Sequence, residues 1–427
     1  MPTLLLRQNR NYRLLFSGSA FSNLGDGVAA LAFPWLATLI SRDPFHIAMV
    51  AFATRLPWFL FALPVGVITD RADRQRLMIR ADVTRLFLSL CVIGLILGAP
   101  ALPLTDDANA RLPLILGLSA IAFILGIAEV IRDNAAQTVL PSLVKAKHLE
   151  QANGQIWSIE QVMGSFVGPP LAGVLIALAI PVPFGFDALM FALSAWCLWM
   201  IAFPQNTGLK VPTGFWRELG AGIKWILSHR LILQLAVMLG FMNALHTMTL
   251  TVLVLYSQEV LQLSAFGYGV LLTAGAAGGV AGGLLCPAIA ARIGNLKSLL
   301  VALAIFPLPY VAIFLTASPV IVAVALFVEM FAALLWNVVT VSYRQRIIPN
   351  DLLGRVNSIY RFLGWGMMPL GALAAGLVVS WVEPDLGRET ALRIPFAFAA
   401  AGCGVLLVYA LAYLRFPQLP SATSKQT

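Results

Sequence analysis

Between two long apolar runs, the chain reads Gly66-Val-Ile-Thr-Asp70-Arg71-Ala-Asp73-Arg74-Gln75-Arg76. The flanking runs, at about 46–69 and 77–100, are each long enough to cross a bilayer as a helix, which takes about 20 apolar residues. Glycine allows two helices to approach closely, and an aspartate at a helix end can face the positive N-terminus of another helix. The arginines suit the polar membrane surface. The stretch therefore predicts a basic turn between two spanning helices.

Runs of this kind fill almost the whole chain. Hydrophobic residues make up 59% of the 427 and charged residues only 11%, whereas a soluble domain is about a quarter charged. Open strands cannot satisfy their backbone groups in lipid, so we expect an all-α membrane protein. Its twelve predicted spans lie at about 14–40, 46–69, 77–100, 112–138, 155–181, 184–204, 231–256, 264–290, 296–317, 319–342, 356–381 and 391–414.

Lysine and arginine are distributed unequally between the two sides of the membrane. With the N-terminus inside, 20 of the 28 fall on the inner side. Five fall on the outer side and three within spans: Arg42, Arg55, Arg111, Arg388 and Arg393, then Arg85, Arg132 and Arg361. Because cytoplasmic loops carry the positive excess, both termini are expected in the cytoplasm of a bacterial inner membrane. The net charge of +9 belongs to these loops and does not indicate nucleic-acid binding.

A polar gap at 205–230 divides the chain into two halves, 1–204 and 231–427. Within this cytoplasmic linker, Thr213 is expected to cap a short interfacial helix. Its apolar face would carry Trp216, Leu219, Ile223 and Ile226.

The two halves resemble each other weakly. Arg71 and Arg76 after the second run match Arg292 and Lys297 after the eighth in spacing, and Leu149-to-Asn153 has the same spacing as Leu353-to-Asn357. Parallel repeats of six helices are typical of transporters whose substrate site lies between the halves.

The turn at 66–76 resembles the G-x-x-x-D-R-x-x-R signature of the major facilitator superfamily. The resemblance implies two six-helix bundles. It also implies a gate latch in which Asp70 contacts the start of the eleventh helix, near 351–357. The latch residues would be Gly66, Asp70, Arg71, Arg74 and Arg76. Asp73 stands where the family has a second glycine, and the second half has Ala291 at the position of Asp70.

The fifth run reads Gly164-Ser-Phe-Val-Gly168-Pro169-Pro170-Leu-Ala172-Gly173. It is similar to the G-x-x-x-G-P-x-x-G-G signature of the superfamily's drug–proton antiporters, with Ala172 replacing one glycine. The resemblance implies export, and plain small-residue packing is the alternative. Two further stretches, 138–153 and 344–358, resemble the subgroup that includes enterobactin exporters and macrolide-efflux proteins.

Ionisable residues inside the runs are candidates for function, because inserting each one costs roughly 3 kcal/mol. Asp26 lies near the midplane of the first run, with Asn23 one turn away. Desolvation disfavours a charged carboxylate, so Asp26 is expected to bind and release a proton in the physiological range. A structural carboxyl bonded to a neighbouring helix is the alternative.

Other candidates lie on the fourth, seventh and tenth runs. They are Glu129, Arg132 and Asp133, Asn243 and His246, and Glu329. The first three share one helix face and either take part in proton coupling, as the resemblance implies for the arginine, or brace the latch as a neutralised cluster. Glu329 is either a second proton carrier, the anchor of a cationic substrate, or structural. For Asn243 and His246, a structural role competes with a place in the cavity.

No Gly-x-x-x-x-Gly-Lys-Ser/Thr phosphate loop and no metal-ligand spacing occur, so no cofactor is expected and an ion gradient must supply the energy. The leading hypothesis is a monomeric, proton-coupled exporter of amphipathic or hydrophobic small molecules such as drugs, working by alternating access in the lipid bilayer, and not an enzyme. A dedicated siderophore or lysophospholipid transporter is the alternative within transport. A membrane receptor that has lost transport is the alternative from another class.

Overall fold

The computed structural model describes residues 4–104, 108–145, 148–202, 215–349 and 352–415. Within these ranges twelve helices are long and apolar enough to cross a membrane, and no strand occurs, which confirms the predicted all-α fold. They are α1 (Arg10–Ile40), α2 (Pro44–Arg71), α3 (Arg74–Gly98), α4 (Ala108–Leu143), α5 (Leu149–Gln161, Val162–Val167 and Gly168–Leu178), α6 (Val182–Trp199), α7 (Arg230–Glu259), α8 (Ala265–Ile293), α9 (Asn295–Ile305 and Pro307–Leu315), α10 (Pro319–Ile347), α11 (Leu353–Trp365 and Met368–Leu386) and α12 (Arg388–Tyr413).

Short polar side chains begin several of the helices. Asn9 accepts a hydrogen bond from the Tyr12 backbone N–H at 3.0 Å, and Ser264 accepts one from Gly267 at 3.2 Å. Asp73 does the same for α3 through the N–H of Arg76, 3.2 Å away. Each cap satisfies a donor that the first helical turn leaves unpaired. The aspartate that replaces the family's glycine in the turn therefore serves as the N-cap of α3.

The helices pack in two sets that repeat each other. In the first half, α1 contacts α5 and α6, α2 contacts α4, and α3 contacts α4 and α6. Every one of these pairs recurs six helices later: α7 with α11 and α12, α8 with α10, and α9 with α10 and α12. Between the halves, α2 packs on α11 and α5 on α8, which are related by the same step of six. The weak sequence repeat therefore corresponds to a repeat of helix packing, and the two cross-half pairs frame a central space.

Because twelve spans alternate in direction, the start of α1 and the end of α12 lie on one side, here called the terminal side. On the opposite, distal side, a polar network joins the halves. Gln258 at the end of α7 accepts a hydrogen bond from Arg42 and donates one to Thr38 Oγ1 at 2.9 Å. Arg388 at the start of α12 contacts Glu259 at 2.8 Å and donates to the carbonyl of Arg42 at 2.6 Å. An open recess of about 710 Å³ borders this network. The distal network holds the two halves together on that side.

The predicted linker helix is present at Phe215–Ser228. Ile226 is buried, and a Cβ placed on Gly222 would lie 2.7 Å from Ile359 of α11, so this edge of the helix packs on α11. Ile223, predicted on the same face as Ile226, is 40% exposed. Thr213 and the side chains of Trp216 and Leu219 lie outside the described part of the chain.

Candidate functional site

A cavity of about 310 Å³ lies between the two halves. Its walls differ in chemistry. Every aspartate, glutamate and arginine side chain that lines the cavity comes from the first half. These are Asp26, Arg55, Arg85, Glu129 and Asp187. The second half contributes His246, two threonines, Tyr268 and apolar side chains from α7, α8 and α11. The volume is at the lower end of the range for small-molecule sites.

An ion pair between Asp26 and Arg85 forms part of the charged wall. The Asp26 side chain is 34% exposed, whereas that of Arg85 is 3% exposed. Arg85 also donates to Ser22 Oγ at 2.9 Å, and its guanidinium lies 3.9 Å from the centre of the Phe191 ring, a favourable cation–π arrangement. Asp26 thus presents a carboxylate to the cavity with a buried cation behind it. Asn23, one turn away, donates to the Ser19 carbonyl at 2.9 Å within α1.

A second layer of charge lies behind Arg85. Asp82 is fully buried, 3.6 Å from Arg85 Nη1 and 3.2 Å from Arg132 Nε, and it accepts a hydrogen bond from Ser194 Oγ at 2.6 Å. Arg132 lies 3.6 Å from Asp133. A buried charge is tolerated when it is paired. Arg132 and Asp133 are therefore connected to Asp26 through Asp82, away from the cavity wall, while Glu129 of the same predicted cluster lines the cavity.

Four charged residues of this site, Arg55, Arg85, Asp82 and Asp187, were not among the predicted site residues. Arg55 was counted on the outer side although the predicted run 46–69 contains it. That count was wrong, because position 55 lies inside α2 (Pro44–Arg71) and lines the cavity. Asp187 lies close to the start of the sixth apolar run. Its side chain is buried, and Ser89 donates a hydrogen bond to its Oδ2 at 2.7 Å. Asp82 precedes Arg85 by three residues, and that helical spacing is the signal that could have revealed it.

In the second half, a buried carboxylate is screened from the cavity by a histidine. Glu329, for which the sequence left open the roles of proton carrier, substrate anchor or structural residue, is 2% exposed and is not among the lining residues. Tyr310 donates to its Oε1 at 2.5 Å, and His246 Nδ1 lies 2.6 Å from the same oxygen. His246 lines the cavity, whereas Asn243 donates to the Gly364 carbonyl of α11 at 2.9 Å. Of this predicted pair, His246 therefore lies at the cavity, whereas Asn243 takes part in the packing of α7 on α11.

The glycine-rich stretch of α5 contacts both α1 and α8. It contains one π-helical segment, Val162–Val167, followed by Gly168 and Pro169. A Cβ on Gly27 would lie 2.3 Å from the Gly164 carbonyl oxygen, and one on Gly168 would lie 2.5 Å from Gly27 Cα. On the α8 side, a Cβ on Gly173 would lie 2.4 Å from Phe266 Cα. Only glycine permits such close backbone approach, so this stretch links the helix that carries Asp26 to the other half.

The predicted latch falls largely outside the described residues. This applies to the surroundings of Gly66, to the side chains of Asp70 and Arg71, and to the whole of residue 351. Next to them, Arg76 pairs with Asp73 at 3.2 Å, and Gln75 donates to the carbonyls of Leu198 and Ile201 at 2.8 and 3.0 Å. Gln75 thereby connects the start of α3 to the end of α6. The contact of Asp70 with the eleventh helix stays a prediction.

Comparison with known proteins gives consistent matches over most of the chain. The family model described as transmembrane secretion effector matches residues 5–427. The multidrug efflux pump Tap of Mycobacterium tuberculosis is 26% identical over 383 residues, covering 85% of this chain and 85% of Tap. The enterobactin exporter EntS of Salmonella typhimurium is 24% identical over an alignment of 428 positions, covering 97% of this chain and 96% of EntS.

Among solved structures, a point mutant of the nucleoside transporter NupG superposes with a TM-score of 0.76 at 11% identity, covering 95% of this chain and 100% of that structure. This likeness confirms the two-bundle membrane fold. The matched family and the named relatives are transporters and not enzymes.

Proposed function

The chain belongs to the transmembrane secretion effector family of the major facilitator superfamily, and we propose that it is a proton-coupled exporter of amphipathic or hydrophobic small molecules. Its halves, 1–204 and 231–427, rock about the central cavity and expose it alternately to the two sides of the membrane. Both termini lie in the cytoplasm, the bilayer is the bacterial inner membrane, and the chain works as a monomer.

The observation that carries this proposal is the ion pair between Asp26 and Arg85 at the cavity wall. Two unit charges 4 Å apart attract by about 4 kcal/mol at an effective dielectric constant of about 20. A proton on Asp26 removes this attraction and leaves Arg85 to Asp82, 3.6 Å away. Reversing a two-state equilibrium from 1:99 to 99:1 takes about 5.5 kcal/mol, so the change is of the right order to bias a conformational balance.

The geometry also provides a route from this pair to the interface between the halves. Gly27, next to Asp26, packs directly on Gly164 and Gly168 of α5. Farther along α5, Gly173 packs on Phe266 of α8 in the other half. A change at Asp26 is therefore passed through closely packed backbones to a helix pair that must slide when the halves rock.

The two walls of the cavity support an amphipathic substrate. A polar or charged group of the substrate can pair with Asp26, Glu129 or Arg55 of the first half. Its apolar body can contact Leu250 and Leu272 of the second half. Ligand sites are commonly apolar with a few placed polar groups, which fits this division.

A dedicated siderophore exporter is the second candidate, because the chain aligns with EntS over almost its full length. Arg55, Arg85 and His246 can pair with anionic or phenolic oxygens of such a molecule. A deletion strain discriminates the two candidates. Loss of resistance to amphipathic drugs supports the first, and loss of siderophore secretion with unchanged drug resistance supports the second.

The proposal is tested with purified protein in proteoliposomes, using ethidium as an amphipathic probe and an imposed pH gradient as the energy source. Asp26→Asn keeps the shape of the side chain but cannot exchange a proton, so we expect it to bind ethidium and to lose gradient-driven transport. Glu389→Gln is the matched control, since Glu389 is 69% exposed and pairs with Arg393 at 2.8 Å outside the cavity. Undiminished transport by Asp26→Asn removes Asp26 from this role. If the unaltered protein shows no gradient-driven transport, the proposed function is wrong for such substrates.

A further inference from the structure

We propose that His246, Glu329 and Tyr310 form a second proton-binding site, in the second half of the protein, and that His246 takes the proton from the cavity. The inference rests on the proposed proton-coupled transport and adds its stoichiometry. Two protons are exchanged in each transport cycle, one in each half.

Hydrogen-bond geometry assigns a role to each group. Tyr310 OH and His246 Nδ1 both lie within hydrogen-bond distance of the same oxygen of Glu329, at 2.5 and 2.6 Å. A tyrosine hydroxyl at this distance donates, and a carboxylate oxygen accepts from both groups. With its proton on Nδ1, the neutral imidazole keeps Nε2 as its one basic atom. Glu329 therefore orients the ring and holds it in the tautomer that can accept a proton at Nε2.

Burial makes the histidine the natural counter-charge of Glu329. The Glu329 side chain is 3% exposed, and an unpaired carboxylate is strongly disfavoured in such a place. Within the described part of the chain, no lysine or arginine forms an ion pair with Glu329, and His246 is its only ion-pairing partner. The His246 side chain is 34% exposed and lines the cavity, so it joins the buried carboxylate to water or substrate.

The proton step follows from this arrangement. A proton from cavity water binds Nε2 of His246, and the imidazolium that forms keeps donating its Nδ1–H to Glu329. The charge of the pair changes from −1 to zero, and the proton leaves by the same atom when the cavity faces the other side. Tyr310 does not exchange a proton in this step. It positions Glu329 and satisfies its oxygen.

Other titratable and charged groups face this site from several helices. Across the cavity they are Asp26 of α1, Arg55 of α2, Arg85 of α3, Glu129 of α4 and Asp187 of α6. Arg55 opposes a positive charge on His246. From the second half, Tyr268 of α8 lines the cavity, and Cys403 of α12 lies within electrostatic range of Glu329.

The position of the site in the repeat supports a paired arrangement. Asp26 lies on α1 and His246 on α7, which occupy equivalent places in the two sets of six helices. The partner of Asp26 lies on α3, and Tyr310, which contacts the partner of His246, lies on the equivalent helix α9. Each half thus holds one proton-binding group at the cavity with its partner behind it.

The experiment measures how strongly a pH gradient concentrates ethidium in proteoliposomes at zero membrane potential. A proton moving down one pH unit supplies about 1.36 kcal/mol, a factor of ten in concentration. Two coupled protons therefore limit the ethidium gradient at 100-fold per pH unit, and one proton limits it at tenfold. We expect the unaltered protein to approach 100-fold, and His246→Gln and Glu329→Gln to approach tenfold.

Controls separate loss of a proton from loss of fold. His229→Gln alters an exposed histidine on the linker side, bonded to the Trp225 carbonyl, and is expected to keep the 100-fold slope. The double variant His246→Gln with Glu329→Gln leaves no unpaired buried charge, so it should fold and show the tenfold slope. Ethidium binding is measured for every variant.

A tenfold slope in the unaltered protein, or a 100-fold slope in Glu329→Gln or in the double variant, overturns the second site while leaving proton-coupled export standing. No gradient-driven accumulation in the unaltered protein is a different result, because it removes the proposed function itself.

Discussion

Replacing Gly27 with alanine tests the closest contact between α1 and α5. The added Cβ would lie 2.3 Å from the carbonyl oxygen of Gly164, whereas ordinary van der Waals contact begins near 3.4 Å. The difference, 1.1 Å, is the distance by which backbone must retreat from the new methyl group. Because the obstacle is backbone and not the end of a flexible side chain, the whole helix pair has to move.

The expected change in the stability of the protein is the difference between two opposing effects. Overpacking a tight contact costs about 1–3 kcal/mol, while replacing glycine by alanine within a helix gains about 1 kcal/mol. Gly27→Ala is therefore expected to lower the stability of the protein by up to about 2 kcal/mol. Since Asp26 is the preceding residue, we also expect a lower rate of gradient-driven ethidium transport.

Gly94→Ala is the matched control. Gly94 lies within α3, and a Cβ placed there meets no atom within 4 Å, so only the gain in helix propensity applies. Thermal inactivation of both purified variants, followed at one heating rate, gives the comparison. If Gly27→Ala inactivates at the same temperature as Gly94→Ala and transports ethidium normally, then α1 and α5 are not packed backbone to backbone, and the proposed route from Asp26 to the interface fails.

Two further changes test other parts of the structure. Ser89→Ala removes the donor to Asp187 Oδ2, 2.7 Å away, and leaving a buried carboxylate oxygen unsatisfied costs about 1–3 kcal/mol. Its inactivation temperature should fall below that of Ser228→Ala, an exposed hydroxyl on the linker helix, and equal temperatures would contradict the role of Ser89. Arg388→Gln weakens the distal network, so a membrane-impermeant maleimide should label a Thr38→Cys variant faster from the distal side. Raising the salt concentration should have the same effect, since salt screens partly exposed ion pairs, and unchanged labelling would show that the network does not close that side.

Much of the fold could be predicted because membrane insertion depends on local composition. Every predicted apolar run overlaps a helix of the structure, and the linker helix appears in the predicted gap. The position of one arginine relative to the membrane was predicted wrongly. Arg55 was counted on the outer side although the predicted run 46–69 contains it, and the cavity supplies the polar surroundings that let it lie inside α2.

The partners within the site were harder to predict, since they lie far apart in the chain. Asp26 and Arg85 are 59 residues apart, and His246 and Glu329 are 83 apart. Periodicity shows which residues share a face of one helix, but not which helix that face meets. Asp187 illustrates the limit, because its partner Ser89 lies on another helix, 98 residues earlier in the chain.

By itself the sequence determined that this protein is helical, that it crosses the membrane twelve times and that it divides into two similar halves. These properties follow from the free energy of moving each segment from water into lipid, which is a sum over neighbouring residues. Tertiary structure alone decided which buried charges form pairs, which of them reach the cavity, and that Glu329 lies behind His246. Those outcomes depend on how each helix is rotated against its neighbours, and close contacts such as that of Gly27 with α5 set the rotation across the whole bundle.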